Sequence, residues 1–253
     1  MVSKKIINNI LTKIINETKH LHGNFGTQIR KTLHDITDNK NEYDTLRDAI
    51  FNFYGKYNSD KTKEHLEILS TNKKKFTTHG EANKREVDWT SQMTDVAKSE
   101  GLIYGIHNHP LTTSVQSEND LNILLQGNVK YSITLSNDGI MIIKNNNGFL
   151  EIVDENWIRN DVYFNTLRQY RMFSIEENDN CKNQYPNEYE SIMNRLNKGS
   201  ITDDQANEEW DAIFRKYSKK NKYAYAENYI KHIETNTNLK VHHIPKMPKK
   251  LKN

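Results

Sequence analysis

The stretch from residue 102 to residue 120 constrains the fold more than any other part of this 253-residue chain. The apolar run at 102–106 has the length of a buried strand and leads directly into His107 and His109. Side chains alternate along a strand, so these two histidines point to the same side of it. Asp120 follows eleven residues after His109, where the pattern indicates the first turn of a helix. Two imidazoles and a carboxylate can therefore converge on one point, and they are the donor set of an open zinc site.

The spacing within this stretch carries a family resemblance. Pro110 directly follows the second histidine, Ser117 comes seven residues later, and Asp120 completes the motif. At these positions, and over about residues 64–150, the sequence resembles the JAMM (JAB/MPN) family of zinc metallopeptidases. Asn108 stands where eukaryotic members commonly have Ser or Thr, and the His-Asn-His-Pro form is similar to prokaryotic and phage-associated branches. The resemblance implies an α/β fold, namely a mixed sheet with flanking helices and a cytidine-deaminase-like core.

The resemblance also implies roles for individual residues. His107, His109 and Asp120 would hold Zn²⁺, and Ser117 would hydrogen-bond the oxyanion of a tetrahedral intermediate. A glutamate on an earlier strand would act as the general base. The implied reaction is the hydrolysis of a peptide or isopeptide bond, with a protein or peptide substrate such as a ubiquitin-like conjugate.

Three residues are candidates for that glutamate: Glu64, Glu67 and Glu81. The segments 62–70 and 76–80 indicate two strands joined by a basic turn, and alternation places Glu64 on the same face as the apolar positions 66 and 68. Glu64 is therefore the first choice, with the other two in reserve. A helical interpretation of 62–69, in which Glu64 and Glu67 are both solvated, stays open because so short a segment does not separate the two periodicities.

The same motif also admits interpretations without chemistry. Ser117 with Asp120 fits a helix N-cap with an acidic residue at the third position, and two histidines at a strand end can be surface residues. A hypothesis of a different class follows, in which the chain is a structural or interaction protein that keeps the metal fold without hydrolysis. A phage structural or morphogenesis component is one example. A correctly aimed glutamate separates the enzyme from such a protein.

Strand signals are confined to about residues 62–154. A hairpin is indicated by two apolar runs around Asn137, Asp138 and Gly139, which favour positive φ in a tight turn. A helix is expected at 91–100, ended by Gly101, and a last strand at 149–153.

The flanks lack strand signals, and they set the expected division of the chain. Helical spacing indicates a helix at 4–20, further helix to about Tyr54, and helices at 157–173, 189–196 and 206–217, the last opened by a capping box at Thr202. We therefore expect an N-terminal helical extension (1–61), the α/β core (62–154) and a C-terminal helical region (155–235). A basic tail, disordered or bound to a partner, is expected at 236–253.

Composition limits the partners and the compartment. The formal charge of +3 comes from 36 basic and 33 acidic residues, which is too even for a nucleic-acid partner. The single cysteine, Cys181, has no partner motif and is expected to be an incidental thiol. No run approaches the roughly 20 apolar residues of a membrane span. We expect a cytoplasmic or virion-associated protein, with protein partners in a larger assembly.

Overall fold

The computed structural model describes residues 23–57, 60, 62–82, 87–110, 113–126, 128–146, 161–235 and 237–246. The chain divides into two compact units, Met1–Asn156 with Leu239–Asn253, and Trp157–Asn238. The helix expected at 4–20 and the strand expected at 149–153 lie outside the described residues.

The first unit is built on a six-stranded mixed sheet with helices beside it, as the sequence predicted. The strand order is β2-β1-β3-β4-β5-β6. The neighbours β3 and β4 are parallel, and the other neighbouring pairs are antiparallel. The segment that left a helical interpretation open is a strand. The strands are β1 (His65–Ser70), β2 (Lys75–His79), β3 (Leu102–His109), β4 (Val129–Ser136), β5 (Gly139–Asn145) and β6 (Leu239–Pro245), and the helices are α1 (Asn24–Ile36), α2 (Lys40–Tyr57), α3 (Ser91–Glu100) and α4 (Glu118–Gln126).

Helices α1 and α2 cover one face of the sheet. Each presents an apolar stripe at helical spacing, with Ile29 and Leu33 on α1 and Leu46, Ile50 and Phe53 on α2. These side chains form one buried cluster with inward-facing residues of β3, β4, β5 and β6. The helices expected as an N-terminal extension thus share a core with the sheet, and their removal would expose most of one of its faces.

The segment after residue 238 corrects the expectation of a basic tail. Leu239–Pro245 is strand β6, and it pairs antiparallel with β5 along its whole length. Leu239, Val241 and Ile244 are buried against the sheet. The expectation of disorder at 236–253 is therefore wrong for these residues. The lysines of the segment 236–253, of which Lys240 is exposed on β6, concealed a short apolar pattern whose partner strand lies about a hundred positions earlier in the chain.

Gly139 has the positive φ that the sequence predicted for this turn, at 158°, but its two neighbours do not. Asn137 and Asp138 do not have positive φ, so the expected turn geometry is wrong at these two positions. A Cβ atom built on Gly139 would lie 2.3 Å from the carbonyl oxygen of Ile244. The glycine is therefore required by the close approach of the β6 backbone to β5.

The described part of the second unit, residues 161–235 with 237 and 238, contains helices and no strand. Three of its helices were predicted and are longer than expected. The fourth, Lys222–Glu234, was not predicted as a separate helix. The expected capping box joins Thr202 and Gln205 through both hydrogen bonds. The helices are α5 (Asp161–Gln184), α6 (Pro186–Asn197), α7 (Asp203–Lys220) and α8 (Lys222–Glu234).

Cys181 lies inside this helical unit. It packs with Tyr185 and Tyr217 and is fully buried. Burial, with a smaller contribution from the charge of Glu177, raises the pKa of the thiol to about 11. A protonated, inaccessible thiol is unreactive, which agrees with the expectation of an incidental cysteine. Among the residues described in both units, no helix is long and apolar enough to cross a membrane.

We predict that Ile244→Ala lowers the free energy of unfolding by about 2 to 5 kcal/mol, because it leaves a cavity between β6 and the helices. Lys240→Ala, an exposed change on the same strand, should stay within about 0.5 kcal/mol of the wild type. Urea denaturation followed by circular dichroism measures both values. Equal stabilities of the two variants would mean that the segment does not belong to the sheet.

Candidate metal centre

The chain order strand β3, helix α4, strand β4 brings the motif residues together. Because β3 and β4 are parallel neighbours, α4 is the crossover connection between them, and its N-terminus lies at the carboxyl end of β3. His107 and His109 are at that end of β3, and Asp120 is in the first turn of α4. Clefts at the carboxyl ends of parallel strands are common ligand sites in α/β proteins.

The side chains of these three residues converge. His107 Nε2 lies 3.1 Å from His109 Nε2 and 3.3 Å from Asp120 Oδ1. His109 Nε2 lies 3.6 Å from Asp120 Oδ2. Each residue offers one ligand atom, and these atoms all lie within 4.8 Å of one another. The structure therefore brings together the three residues that the sequence proposed as ligands.

The hydrogen bonds of His109 fix which nitrogen faces the cluster. Its Nδ1 donates to the carbonyl oxygen of Thr113 at 2.9 Å, because a carbonyl only accepts. A neutral His109 therefore directs the lone pair of Nε2 toward His107 and Asp120. Metal-ligating histidines are usually held in this way by a carbonyl or carboxylate on the other ring nitrogen. The donor set and the orientation of His109 thus fit a divalent cation.

The pKa shifts of His109 and Asp120 indicate that positive charge is favoured within the cluster. Burial alone would lower the pKa of His109, but the hydrogen bond and charge of Asp120, with the charge of Glu64, raise it to about 9. Burial would raise the pKa of Asp120, but the charges and hydrogen bonds of His107 and His109 hold it well below its usual range. Without a metal, a proton supplies the positive charge that these atoms share.

Ser117 and Asp120 form an N-cap, as one interpretation of the sequence held. Ser117 Oγ accepts from the backbone N–H of Asp120 at 3.2 Å, and Asp120 Oδ2 accepts from the backbone N–H of Ser117 at 2.7 Å. The Ser117 hydroxyl also donates to Asp120 Oδ2 at 2.8 Å. The cap therefore orients the carboxylate that faces the two histidines, so the cap and the metal centre are compatible.

The structure distinguishes the three candidate glutamates. Glu64 is buried just before β1, and its carbonyl accepts from Gly80 N–H at 2.9 Å. Leu66 lies opposite His107 in the β1–β3 pairing, so continuing that register puts Glu64 opposite His109 and on the same face. The negative charge of Glu64 is one of the causes that raise the pKa of His109.

The two reserve glutamates lie elsewhere. Glu67 is on the other face of the sheet, where it accepts from the Tyr104 hydroxyl at 2.8 Å and pairs with Lys75 at 2.8 Å. Glu81 is exposed after the end of β2. The alternation that favoured Glu64 in the sequence therefore agrees with the side of the sheet on which the structure places it.

Sequence reasoning missed several residues around the site. The buried Thr134 lies opposite His107 on β4, with its Oγ1 3.3 Å from His107 Nε2. Asp138 accepts from the backbone N–H of Ser114 at 3.0 Å and so holds the loop that contains Thr113. Their positions depend on strand register and on a turn, which the motif does not encode.

Comparisons of the chain with protein-family models, with curated proteins and with solved structures found no match. The resemblance to the JAMM family therefore remains a prediction from the motif. The convergence of His107, His109 and Asp120 is a separate observation about the site.

We predict that the purified protein binds about one zinc per chain and that His109→Ala loses it, because two ligands are too few for a stable site. His79→Ala is the matched control, since His79 is on β2 and outside the cluster. Elemental analysis after dialysis against trace zinc measures the content. Equal zinc in the wild type and in His109→Ala would rule out the site.

We also predict that zinc affinity rises with pH. The pKa of His109, raised from 6.5 to about 9, means that zinc must displace a proton below about pH 9. The affinity should increase about tenfold per pH unit between about pH 7 and 9 and then level off. In the metal-free protein the sign is opposite, because the stabilisation from protonated His109 is complete below about pH 6.5 and is lost as pH rises through about 9.

Competition with a chelator at several pH values measures this affinity, and calorimetry in two buffers of different ionisation enthalpy counts the released proton. An affinity that does not change across this range would contradict the assignment of His109 as a ligand.

Proposed function

We propose that the chain is a zinc-dependent hydrolase of peptide or isopeptide bonds, of the JAMM (JAB/MPN) type. The observation that carries this proposal is the convergence of His107, His109 and Asp120 on the sheet face to which Glu64 belongs. Two imidazoles and a carboxylate on one point, with a buried carboxylate on the same face of the sheet, include both parts that metal-assisted hydrolysis needs.

His107, His109 and Asp120 would hold the zinc ion. Three protein ligands are typical of catalytic rather than structural zinc sites. When bound in such a site, zinc acidifies water and polarises a carbonyl group. The Thr113 carbonyl fixes the orientation of His109, and the Ser117 cap fixes that of Asp120.

Glu64 would take the proton of the attacking water and pass it to the leaving amine. Its backbone carbonyl accepts from Gly80 N–H just after β2, and its side chain is buried, which restricts the freedom of the carboxylate. A base positioned in this way contributes to hydrolysis without being a metal ligand.

Ser117 would donate its hydroxyl hydrogen to the oxyanion that forms from the scissile carbonyl. In the structure this hydrogen goes to Asp120 Oδ2, so it must turn by rotation about the Cβ–Oγ bond. An Asp120 oxygen engaged as a ligand is a weaker acceptor, which favours that rotation. The substrate class follows from the reaction: an amide of a protein or peptide, with a ubiquitin-like conjugate as one form.

We predict that Glu64→Gln keeps the fold and the zinc content but lowers amide hydrolysis by roughly 100- to 10,000-fold, because the amide cannot accept the proton. Glu67→Gln is the matched control, since Glu67 is buried to the same degree on the other face of the sheet. The measurement is the initial rate on a panel of short peptides and ubiquitin-like conjugates.

Two outcomes would contradict this assignment. If Glu64→Gln is as active as the wild type while Glu67→Gln or Glu81→Gln is inactive, the base is one of those residues. If the zinc-loaded wild type cleaves no member of the panel, a structural or interaction protein with a retained metal fold becomes the better account.

We predict that two substitutions of Ser117 distinguish its role as a helix N-cap from its role in hydrolysis. Ser117→Ala should lose about 1 kcal/mol of stability, whereas Ser117→Gly should lose only a few tenths, because glycine is tolerated at an N-cap. Both should lower kcat by roughly 100-fold, since both lack the hydroxyl. If Ser117→Gly cleaves as fast as the wild type, the residue is a cap and nothing more.

A further inference from the structure

The side-chain amide of Asn108 is bonded at both ends to the backbone around Glu64. Its Oδ1 accepts from His65 N–H at 2.7 Å, and its Nδ2 donates to the Lys63 carbonyl at 3.1 Å. These two groups belong to the two peptide planes on either side of the Glu64 Cα atom. Because each plane is rigid, the two bonds together restrict both φ and ψ of Glu64.

Asn108 acts where the regular sheet pairing stops. The β1–β3 register runs without a shift from Leu69 opposite Tyr104 to Leu66 opposite His107, and Glu64 precedes the first residue of β1. Beyond that point the Asn108 side chain takes the place of strand-to-strand hydrogen bonds. The Gly80 N–H adds a bond to the Glu64 carbonyl from the other side, at 2.9 Å.

A carboxamide suits this position for a chemical reason. The site presents one donor, His65 N–H, and one acceptor, the Lys63 carbonyl, and Asn offers the complementary pair on a single planar group. An aspartate would direct an oxygen at the Lys63 carbonyl, and a leucine would bond to neither group. Asn108 is also buried, so water does not readily replace it.

Asn108 therefore joins the candidate ligands to the candidate base. It lies between His107 and His109 on β3, and alternation directs its side chain away from the face of the two histidines. We propose that Asn108 is a positioning residue that holds the backbone of Glu64 in fixed register with His107 and His109. The effect of Asn108 on catalysis rests on the proposed hydrolase function. The two hydrogen bonds that hold the Glu64 backbone, which we call the clamp, do not rest on it.

The first experiment tests the clamp without a substrate. Hydrogen exchange of the His65 amide, followed by NMR in the zinc-loaded protein, should be at least about 10-fold faster in Asn108→Leu than in the wild type, because its acceptor is lost. Zinc content should not change. Tyr131→Phe is the matched control: it removes a partly buried hydrogen bond to Glu42 near the opposite end of β4 and should leave His65 exchange as it is. An unchanged His65 exchange rate in Asn108→Leu would overturn the proposal.

The second experiment tests whether Asn108 acts through Glu64. Asn108→Leu should lower kcat by roughly 10- to 100-fold, as expected for a misplaced base, with KM within about twofold. In the Glu64→Gln background the same change should have almost no further effect. An equal loss in both backgrounds would show that Asn108 does not act through Glu64.

Asn108→Asp is the second variant, to be used if Asn108→Leu does not fold. This change keeps the side-chain shape and the hydrogen bond from His65 N–H. It should lower kcat in the same direction, and normal turnover by a folded Asn108→Asp would overturn the inference. If the wild type cleaves no substrate, the proposed function is wrong. The hydrogen-exchange rate of the His65 amide then tests the clamp without any activity measurement. If the wild type cleaves a substrate and Asn108→Leu has a normal kcat, the inference about Asn108 is wrong and the proposed function stands.

Discussion

Three electron-rich ligand atoms meet at the carboxyl end of β3, and their lone pairs repel one another unless a proton or a cation lies among them. His107, His109 and Asp120 are held about 3 to 4 Å apart by their own hydrogen bonds and by strand geometry. A proton satisfies this requirement in the metal-free protein, as the raised pKa of His109 shows. A divalent cation satisfies it better, because it accepts all three lone pairs together.

The rest of the first unit can be understood as support for that arrangement. The α1 and α2 helices bury one apolar face of the sheet, to which strand β6 contributes Ile244, and this burial stabilises a fold that keeps several polar groups inside at one end. Asp138 fixes the loop that orients His109, and Ser117 caps the helix that carries Asp120. Asn108 links the ligand strand to the candidate base. Asp138, Ser117 and Asn108 each make a hydrogen bond to backbone, so the site depends on main-chain geometry as well as on contacts between side chains.

Local signals in the sequence predicted much of this structure. The apolar run before His107 and the cap at Ser117 each involve residues close in the chain, so period and spacing were sufficient. The alternation around Glu64 favoured a strand but left a helix open, and only the pairing of β1 with β2 and β3 decides between them. Strand β6 was missed because its partner is distant in the chain and because lysines dominate the composition of the segment 236–253. Thr134 and Asn108 could not be assigned because their contacts depend on the register between strands, which one sequence does not specify.

The central claim is that His107, His109 and Asp120 hold a zinc ion with an open position. X-ray absorption spectroscopy at the zinc edge of the loaded protein tests this claim most directly. We expect two imidazole nitrogens at about 2.0 Å, with the remaining shell made of oxygen and no sulfur. A spectrum without imidazole scattering, or one that is unchanged in His107→Ala, would contradict it.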